Sequence, residues 1–182
     1  MADRNNRTEN NPIGCVHVYT GNGKGKTTAA LGLCLRAVGA GFRVYIAQFM
    51  KAGNYSELKA LKRLGDQVTV AQFGSGRFVR GMPSDEDKRK ARKGYQAALA
   101  ALTGGDYQMV ILDESLVALN QGLLSMVELQ SILDQRPEAV ELVLTGRHAP
   151  SEVTAQADLV TDMQEVKHYF QRGIMARDGI EK

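Results

Sequence analysis

The segment best suited to chemistry is rich in glycine, lysine and threonine and reads Thr20-Gly-Asn-Gly-Lys-Gly-Lys-Thr-Thr28. Phosphate-binding loops follow the pattern GxxxxGK[ST]. The final Gly25-Lys26-Thr27 is intact, but Thr20 occupies the first position and the glycine is displaced to Gly21. Glycines let backbone N–H groups converge on phosphate oxygens, and the N-terminus of a following helix adds partial positive charge. The segment therefore predicts a phosphate site, with a structural glycine turn as the alternative.

Two acids follow a wholly apolar run later in the chain, in Met109-Val-Ile-Leu-Asp-Glu114. In proteins with a phosphate-binding loop, an acid at the end of such a strand holds Mg²⁺ directly or through water. The hydroxyl of Thr27 can share that ion, while Lys26 supplies a point charge to phosphate. Side chains alternate along a strand, so only one of Asp113 and Glu114 need face the ligand. The sequence leaves open which one does, and capping of a helix by Asp113 is the structural alternative.

Arginines and a basic run offer further charge. Arg147, in Thr145-Gly-Arg-His148, follows an apolar strand and can contact phosphate, although a surface arginine is the alternative. Arg36 lies ten residues into the helix after the glycine-rich loop, where a solvated charge is the simpler interpretation. The run Lys88–Lys93 follows Asp85 and Glu86 at i,i+4 spacing, which favours a solvated helix face over a nucleic-acid site.

Hydrophobic patterning predicts the elements that must position these residues. Strands are predicted at residues 15–19, 43–49, 68–72, 109–112, 141–145 and 159–163. Helices are predicted at residues 26–38, 56–64, 84–102, 125–137 and 150–157. Apolar strands that alternate with helices predict an α/β fold, with a mostly parallel sheet of about six strands, buried on both faces by helices. In such sheets the ligand edge is formed by the carboxyl ends of the strands.

The 182 residues fit one domain. We expect residues 1–13 to form a flexible N-terminal arm, because residues 1–11 are polar and asparagine-rich, and residues 14–182 to form a single domain. No run approaches the roughly 20 apolar residues of a membrane span, and the polar start lacks the apolar core of a secretory signal. The two cysteines lack metal-ligand spacing and predict a cytoplasmic protein with reduced thiols. The net charge of +3 suits an anionic ligand and does not require nucleic acid as a partner.

Several segments together resemble one family, the corrinoid (cob(I)alamin) adenosyltransferases of the CobA/CobO/BtuR type. The resemblance runs in order from about Gly14 to Glu181, and a threonine at the first loop position is itself typical of that family. The similar segments are 19–30, 36–39, 48–51, 112–114, 145–147, 157–160, 167–168 and 176–181. The resemblance implies the P-loop NTPase architecture of the RecA-like type.

The resemblance also implies an activity: transfer of the 5′-deoxyadenosyl group of ATP to Co(I) of a corrinoid, with release of triphosphate, in cobalamin biosynthesis or salvage. Lys26, Thr27 and Glu114 would be the catalytic residues, with Mg²⁺ on Thr27 and Glu114 and with Asp113 as a further candidate ligand. The residues implied to bind ATP are Thr20, Gly21, Asn22, Gly23, Lys24, Gly25, Lys26, Thr27, Thr28, Arg36 and Arg147.

Other implications concern the corrinoid and the partners. Family members place a Phe and a Trp beside the corrin, whereas this chain has no Trp. Its corresponding segment offers Phe73 and Phe78, which we expect to line the corrinoid, with a buried loop anchor as the alternative for Phe78. The family further implies a homodimer and an electron donor that reduces Co(II).

Two other functions use the same loop. The first is a small-molecule kinase or ATPase, which would release ADP. The second is a non-enzymatic protein that binds corrinoid under the control of a nucleotide, which would release no stoichiometric product. Triphosphate as a product distinguishes the transferase from both.

Overall fold

A six-stranded, all-parallel sheet forms the centre of the computed structural model, which describes residues 13–76 and 81–182. The strands are β1 Val16–Thr20, β2 Val44–Gln48, β3 Val68–Gln72, β4 Met109–Asp113, β5 Glu141–Thr145 and β6 Leu159–Asp162. Their order across the sheet is β3-β2-β4-β5-β1-β6. The predicted α/β fold with a parallel sheet of about six strands is confirmed.

Helices cover both faces of the sheet. They are α1 Lys26–Gly39, α2 Ser56–Leu61, α3 Asp85–Thr103, α4 Ser115–Asn120, α5 Met126–Asp134 and α6 Ser151–Thr154, with 3₁₀ turns at Lys62–Gln67 and Tyr169–Arg172. The apolar residues of α1 and α2 pack on one face. Those of α3, α4, α5 and α6 pack on the other. This two-sided covering is the P-loop NTPase-like arrangement that the family resemblance implies.

The strands are not equally covered. All five residues of β4 are buried, with Val110 and Leu112 facing one helical layer and Ile111 the other. The expectation that every strand is buried on both faces is wrong for β6, whose four residues are all exposed, with Leu159 at 41%. It lies at the sheet edge, where it pairs with β1 alone. On the other face of the sheet, the apolar residue Leu35 of α1 is also 61% exposed.

Helix boundaries follow the capping chemistry where it is present. Ser84 and Asp87 form a capping box at the start of α3, and the Asp87 N–H donates to Ser84 Oγ at 3.2 Å. The predicted helix over 56–64 ends earlier, at Leu61, because the chain tightens into a 3₁₀ turn in which Gly65 adopts a left-handed φ of 61°. Helix α4 was not predicted, since six residues are too few to show a periodic pattern.

The carboxyl ends of the strands meet at one edge, as expected. The N–H of Phe49 after β2 donates to the carbonyl of Asp113 on β4 at 3.0 Å, and the N–H of Gly146 after β5 donates to Tyr19 on β1 at 3.1 Å. The glycine-rich loop and the acidic pair are thereby brought to the same side of the sheet. Residues 1–12 of the expected N-terminal arm and Phe78 lie outside the described residues. Among the residues that are described, no helix has the length and apolarity needed to cross a membrane.

Gly94 of α3 is a close-packing position that tests this fold. A Cβ there would lie 2.9 Å from Phe73 Cγ and 3.0 Å from Phe49 Cε1. We expect Gly94→Ala to lower the free energy of unfolding by about 1–3 kcal/mol, because the two rings must move. Denaturant unfolding measures the change.

Gly32 supplies the matched control within α1, because a Cβ there meets nothing within 4 Å. We expect Gly32→Ala to raise the free energy of unfolding by about 0.5–1 kcal/mol through helix propensity alone. If both variants were stabilised equally, the packing of Gly94 against the two phenylalanines would be wrong.

Candidate nucleotide-binding site

A cavity of about 860 Å³ lies at the carboxyl edge of the sheet. One wall is the glycine-rich loop with the first turn of α1, and a second contains Glu114 and Arg147 from the ends of β4 and β5. A third wall comes from the last part of the chain, including His168, Gln171 and Ile180. The volume is within the range of small-molecule sites.

The glycine-rich loop presents an anion-binding helix end to this cavity. Helix α1 starts after Gly25 with no side-chain cap, so its first N–H groups remain available. The Lys26 ammonium is enclosed by the loop and donates to the carbonyls of Gly21 and Gly23, each at 2.7 Å. The Gly23 N–H is already used, since it donates to Met163 at 2.6 Å.

Positive charge is concentrated around Lys26. Burial lowers the pKa of its ammonium below the usual 10.5, and the guanidinium of Arg147 lowers it further, while Glu114 and Asp162 oppose the shift. Two neighbouring cations beside an uncapped helix N-terminus repel each other until an anion lies near them. The arrangement fits a phosphate group.

Asp113 is buried, with 1% of its surface exposed, and both of its oxygens are occupied by protein donors. Its Oδ1 accepts from Thr27 Oγ1 at 2.8 Å and from Thr145 Oγ1 at 2.9 Å. Its Oδ2 accepts from Gln48 Nε2 at 3.3 Å and forms an ion pair with Lys51 Nζ at 3.1 Å. The Asp113 carboxylate therefore orients the Thr27 hydroxyl. Because Thr27 Oγ1 donates its proton to Asp113, its own lone pairs are free to face the cavity.

Glu114 takes the other role. Its backbone is left-handed, with φ 60° and ψ 20°, and its N–H donates to Thr145 Oγ1 at 2.9 Å. The turn directs Glu114 into the cavity wall, and within residues 13–76 and 81–182 its carboxylate has no hydrogen bond or ion pair. Burial raises its pKa above the usual 4.5, and Asp113 raises it further, against the opposing effect of Lys51, Lys26 and Arg147.

Lys51 follows β2 and bridges two acids at the cavity. Its Nζ lies 3.1 Å from Asp113 Oδ2 and 3.3 Å from Glu57 Oε1, and 5.3 Å from the centre of the Tyr55 ring. Burial alone would lower its pKa, but Asp113 and then Glu57 outweigh that effect, so the pKa of Lys51 is raised. The lysine stays charged and neutralises the buried aspartate.

The structure brings most, though not all, of the predicted nucleotide residues to the cavity. Those that line it are Asn22, Gly23, Lys24, Gly25, Lys26, Thr27, Thr28, Glu114 and Arg147. Thr20 and Gly21 lie just before this wall, where Thr20 Oγ1 accepts from the Ala149 N–H at 3.1 Å. Arg36 is exposed on α1 and is not among the lining residues, so its role stays a prediction.

Phe73, one of the two aromatic residues predicted to contact corrinoid, is not among the residues that line this cavity. Phe73 is half-buried after β3, with its ring centre 6.3 Å from that of Phe49. It also packs against Gly94. Phe78 lies outside the described residues. Contact of either residue with corrinoid remains a prediction.

Sequence reasoning missed several polar residues at the site. Gln48, Lys51 and Thr145 around Asp113 had no assigned role, although each stands at or just beyond the carboxyl end of a strand. That position was the available signal. The wall formed by residues 165–171 and 179–182 has no such signal, because the hydrophobic periodicity of this segment is weak.

The side chains present fit Mg²⁺. This ion is usually bound through one or two carboxylates together with substrate phosphates and water. The hydroxyl of Thr27 and the carboxylate of Glu114 line one cavity and supply such oxygens. In the part of the chain that is described, no cluster of three or more His, Cys, Asp and Glu side chains forms a metal cage.

The parallel sheet, the glycine-rich loop at the start of α1 and the acid at the end of β4 define a nucleotide-binding protein of the P-loop class. Residues 13–181 match the family described as ATP:corrinoid adenosyltransferase BtuR/CobO/CobP. The chain belongs to this family of transferases.

Named relatives agree with this assignment. The corrinoid adenosyltransferase of Pseudomonas aeruginosa is 35% identical over 169 residues, which cover 92% of this chain and 83% of the relative. That of Escherichia coli K12 is 35% identical over 170 residues, covering 92% and 85% of the two chains. The Salmonella typhimurium protein is 34% identical over 170 residues with the same coverage.

Removing the cation beside Asp113 tests the buried network. We expect Lys51→Met to lower the free energy of unfolding by about 3 kcal/mol, because it leaves a buried carboxylate without its ion-pair partner. Lys59→Met, at an exposed position of α2, is the control and should be nearly neutral. Equal stability of the two variants in denaturant unfolding would contradict the pairing.

The raised pKa of Glu114 predicts a pH-dependent stability. A carboxyl whose folded pKa exceeds its unfolded value of 4.5 opposes folding once it ionises, so the penalty is present above the raised pKa and absent below 4.5. We expect ligand-free Glu114→Gln to be more stable than the parent at pH 7, with the difference vanishing as the pH falls through 4.5. Thermal unfolding from pH 4 to 8 measures it. A constant difference across that range would refute the assignment.

Proposed function

We propose that this chain transfers the 5′-deoxyadenosyl group of MgATP to Co(I) of a corrinoid and releases triphosphate. The observation that carries the proposal is the cationic pair Lys26 and Arg147 at the uncapped N-terminus of α1, which lines one cavity together with Glu114 in a chain of this family. A site built for a complete triphosphate leaving group needs this excess of positive charge.

The reaction uses the protein for positioning and charge rather than for proton transfer. The Co–C5′ bond forms while the bond from C5′ to the triphosphate oxygen breaks, and its electron pair leaves with triphosphate as Co(I) becomes Co(III). The reduced cobalt of the substrate is the nucleophile, so no protein base is required. Catalysis then comes from alignment and from fixed charges at the leaving group.

Individual residues have distinct tasks in this proposal. Lys26 and Arg147 neutralise the charge that develops on triphosphate. The loop amides and the first turn of α1 hold its oxygens. Thr27, oriented by Asp113, and Glu114 hold Mg²⁺, which when bound supplies further charge neutralisation to the triphosphate.

Further parts of the proposal concern the setting of the enzyme. We assign Phe73 and Phe78 to the corrinoid side, an external electron donor to the reduction of Co(II), and a homodimer to the assembly, all on the family resemblance. A cytoplasmic location agrees with MgATP as co-substrate and with two free cysteines, Cys15 and Cys34. Residues 1–13 as an arm and 14–182 as one domain complete this description.

The decisive experiment combines the protein with MgATP and chemically reduced cob(I)alamin without oxygen. We expect light-sensitive adenosylcobalamin in the visible spectrum and one triphosphate for each Co–C bond formed. Accumulation of ADP without a Co–C bond would overturn the proposal and favour a kinase or ATPase.

Lys26→Ala should reduce kcat/KM for transfer by about 10- to 150-fold, which corresponds to one charge-assisted hydrogen bond. Lys88→Ala, on the exposed face of α3, is the matched control and should transfer at the parent rate. Circular dichroism confirms that both variants are folded. An unchanged rate in Lys26→Ala would exclude its proposed role.

A further inference from the structure

After β6 the chain turns back across the nucleotide cavity. We call residues 163–182 the C-terminal strap. Its one regular element is the 3₁₀ turn Tyr169–Arg172, and most of its residues are exposed. The strap nevertheless supplies one wall of the cavity, through residues that include His168, Phe170, Gln171 and Ile180. None of these residues had a predicted role.

Contacts on both sides of the cavity hold the strap. At its start, Met163 accepts a hydrogen bond from the Gly23 N–H at 2.6 Å. At its end, Ile180 accepts one from Lys24 Nζ at 2.9 Å. On the side of α2, Ser56 Oγ donates to the Lys182 carbonyl at 3.0 Å. The strap therefore spans from the glycine-rich loop to α2 over the space where the nucleotide would lie.

Glu181 fixes the shape of the strap. Its Oε2 accepts from the Arg177 N–H at 2.8 Å and from Arg177 Nε at 3.2 Å, and its Oε1 accepts from Arg177 Nη2 at 3.2 Å. The hydroxyl of Tyr169 also donates to Glu181. The guanidinium of Arg177 stacks over the Tyr169 ring at 4.8 Å. Arg177 and then Tyr169 lower the pKa of Glu181 to about 2, so the carboxylate is charged at neutral pH.

The two lysines of the glycine-rich loop point in different directions. Lys26 is enclosed by the loop, as described above. Lys24 reaches outward to the strap, where its Nζ bonds to Ile180 and lies 3.8 Å from Glu181 Oε1. An unneutralised carboxylate in the wall of a triphosphate site would repel the ligand. Pairing with Lys24 and Arg177 removes that repulsion.

We propose that the C-terminal strap is the cover of the nucleotide cavity and that Lys24 is the positioning residue that fastens it to the glycine-rich loop through Ile180 and Glu181. This rests on the proposed function for the identity of the nucleotide. Lys24 thus acts on MgATP through the strap, in contrast to the direct contact with ATP that the family resemblance implies. A fastened cover slows the escape of the nucleotide before the corrinoid reacts.

A double-mutant cycle on MgATP affinity separates the two roles of Lys24. The variants are Lys24→Met, Glu181→Gln and their combination, with calorimetry as the measurement and no corrinoid present. For a fastening role we expect each single change to weaken binding by about 2- to 10-fold, the range of a partly exposed charged contact. The double variant should bind MgATP at least as tightly as whichever single variant binds it less tightly, because both changes break the same contact.

A phosphate-binding role for Lys24 makes the opposite prediction. Glu181→Gln would then leave affinity unchanged or strengthen it by removing a negative charge, and the two effects would add. That outcome overturns the proposal. Lys24→Arg should restore at least half of the lost affinity, since a guanidinium can reach both strap acceptors. Lys88→Met on α3 is the charge-matched control and should bind MgATP as the parent does.

Trypsin cleavage after Arg172 gives a second readout that needs no ligand. We expect Lys24→Met to be cut there faster than the parent and the Lys88→Met control, because the strap opens more often. Equal cleavage rates would overturn the fastening role even where affinity changes. A parent chain that bound no MgATP would overturn the proposed function together with the cover, whereas additive affinity losses would overturn the cover alone.

Discussion

The site depends on one buried charge, the carboxylate of Asp113 at the end of β4. A buried carboxylate is tolerated only when its oxygens are fully bonded and its charge is paired. Here the pairing comes from three separate parts of the chain: Lys51 and Gln48 from the end of β2, Thr145 from β5, and Thr27 from the start of α1. Satisfying this group therefore fixes the loop, the helix and both neighbouring strands relative to one another.

The strand order makes such pairing possible. β4 lies between β2 and β5, and β5 lies between β4 and β1. The donors from β2 and β5 therefore flank Asp113 directly, while Thr27 reaches it from beyond β5. The left-handed backbone at Glu114 then ends the strand alternation and gives the adjacent acid to the cavity. Such a conformation costs roughly 1–3 kcal/mol in a non-glycine residue. This strained backbone lets the two adjacent acids take different roles: Asp113 holds the surrounding segments together, and Glu114 faces the ligand.

Charge balance organises the cavity itself. Lys26 and Arg147 concentrate positive charge where phosphate would lie, while Lys51 is committed to Asp113 and Glu57. The C-terminal strap brings the Glu181 carboxylate close to the same space, where Arg177 and Lys24 neutralise its charge. Lys51 is paired with Asp113 and Glu57, and Lys24 is paired with Glu181. Lys26 is therefore the lysine of the glycine-rich loop whose charge is available to a ligand.

The sequence by itself determined the alternation of strands and helices, the capping box of α3 and the loop between β1 and α1. These features depend on hydrophobic period and on local backbone chemistry, which neighbouring residues encode. The sequence could not decide which of Asp113 and Glu114 faces the ligand. The left-handed backbone of Glu114 ends the strand alternation from which the side-chain directions would be predicted. Nor could the sequence show that β6 stays uncovered, since edge position follows from strand order.

Tertiary structure alone decided the remaining parts of the site. Lys24 and Ile180 are 156 residues apart in the chain, and no local pattern links them. The donors around Asp113 likewise come from segments that only the sheet brings together. Local patterns fix each segment's conformation, but the partner of a buried or bridging charge is set by which strand ends the sheet places side by side.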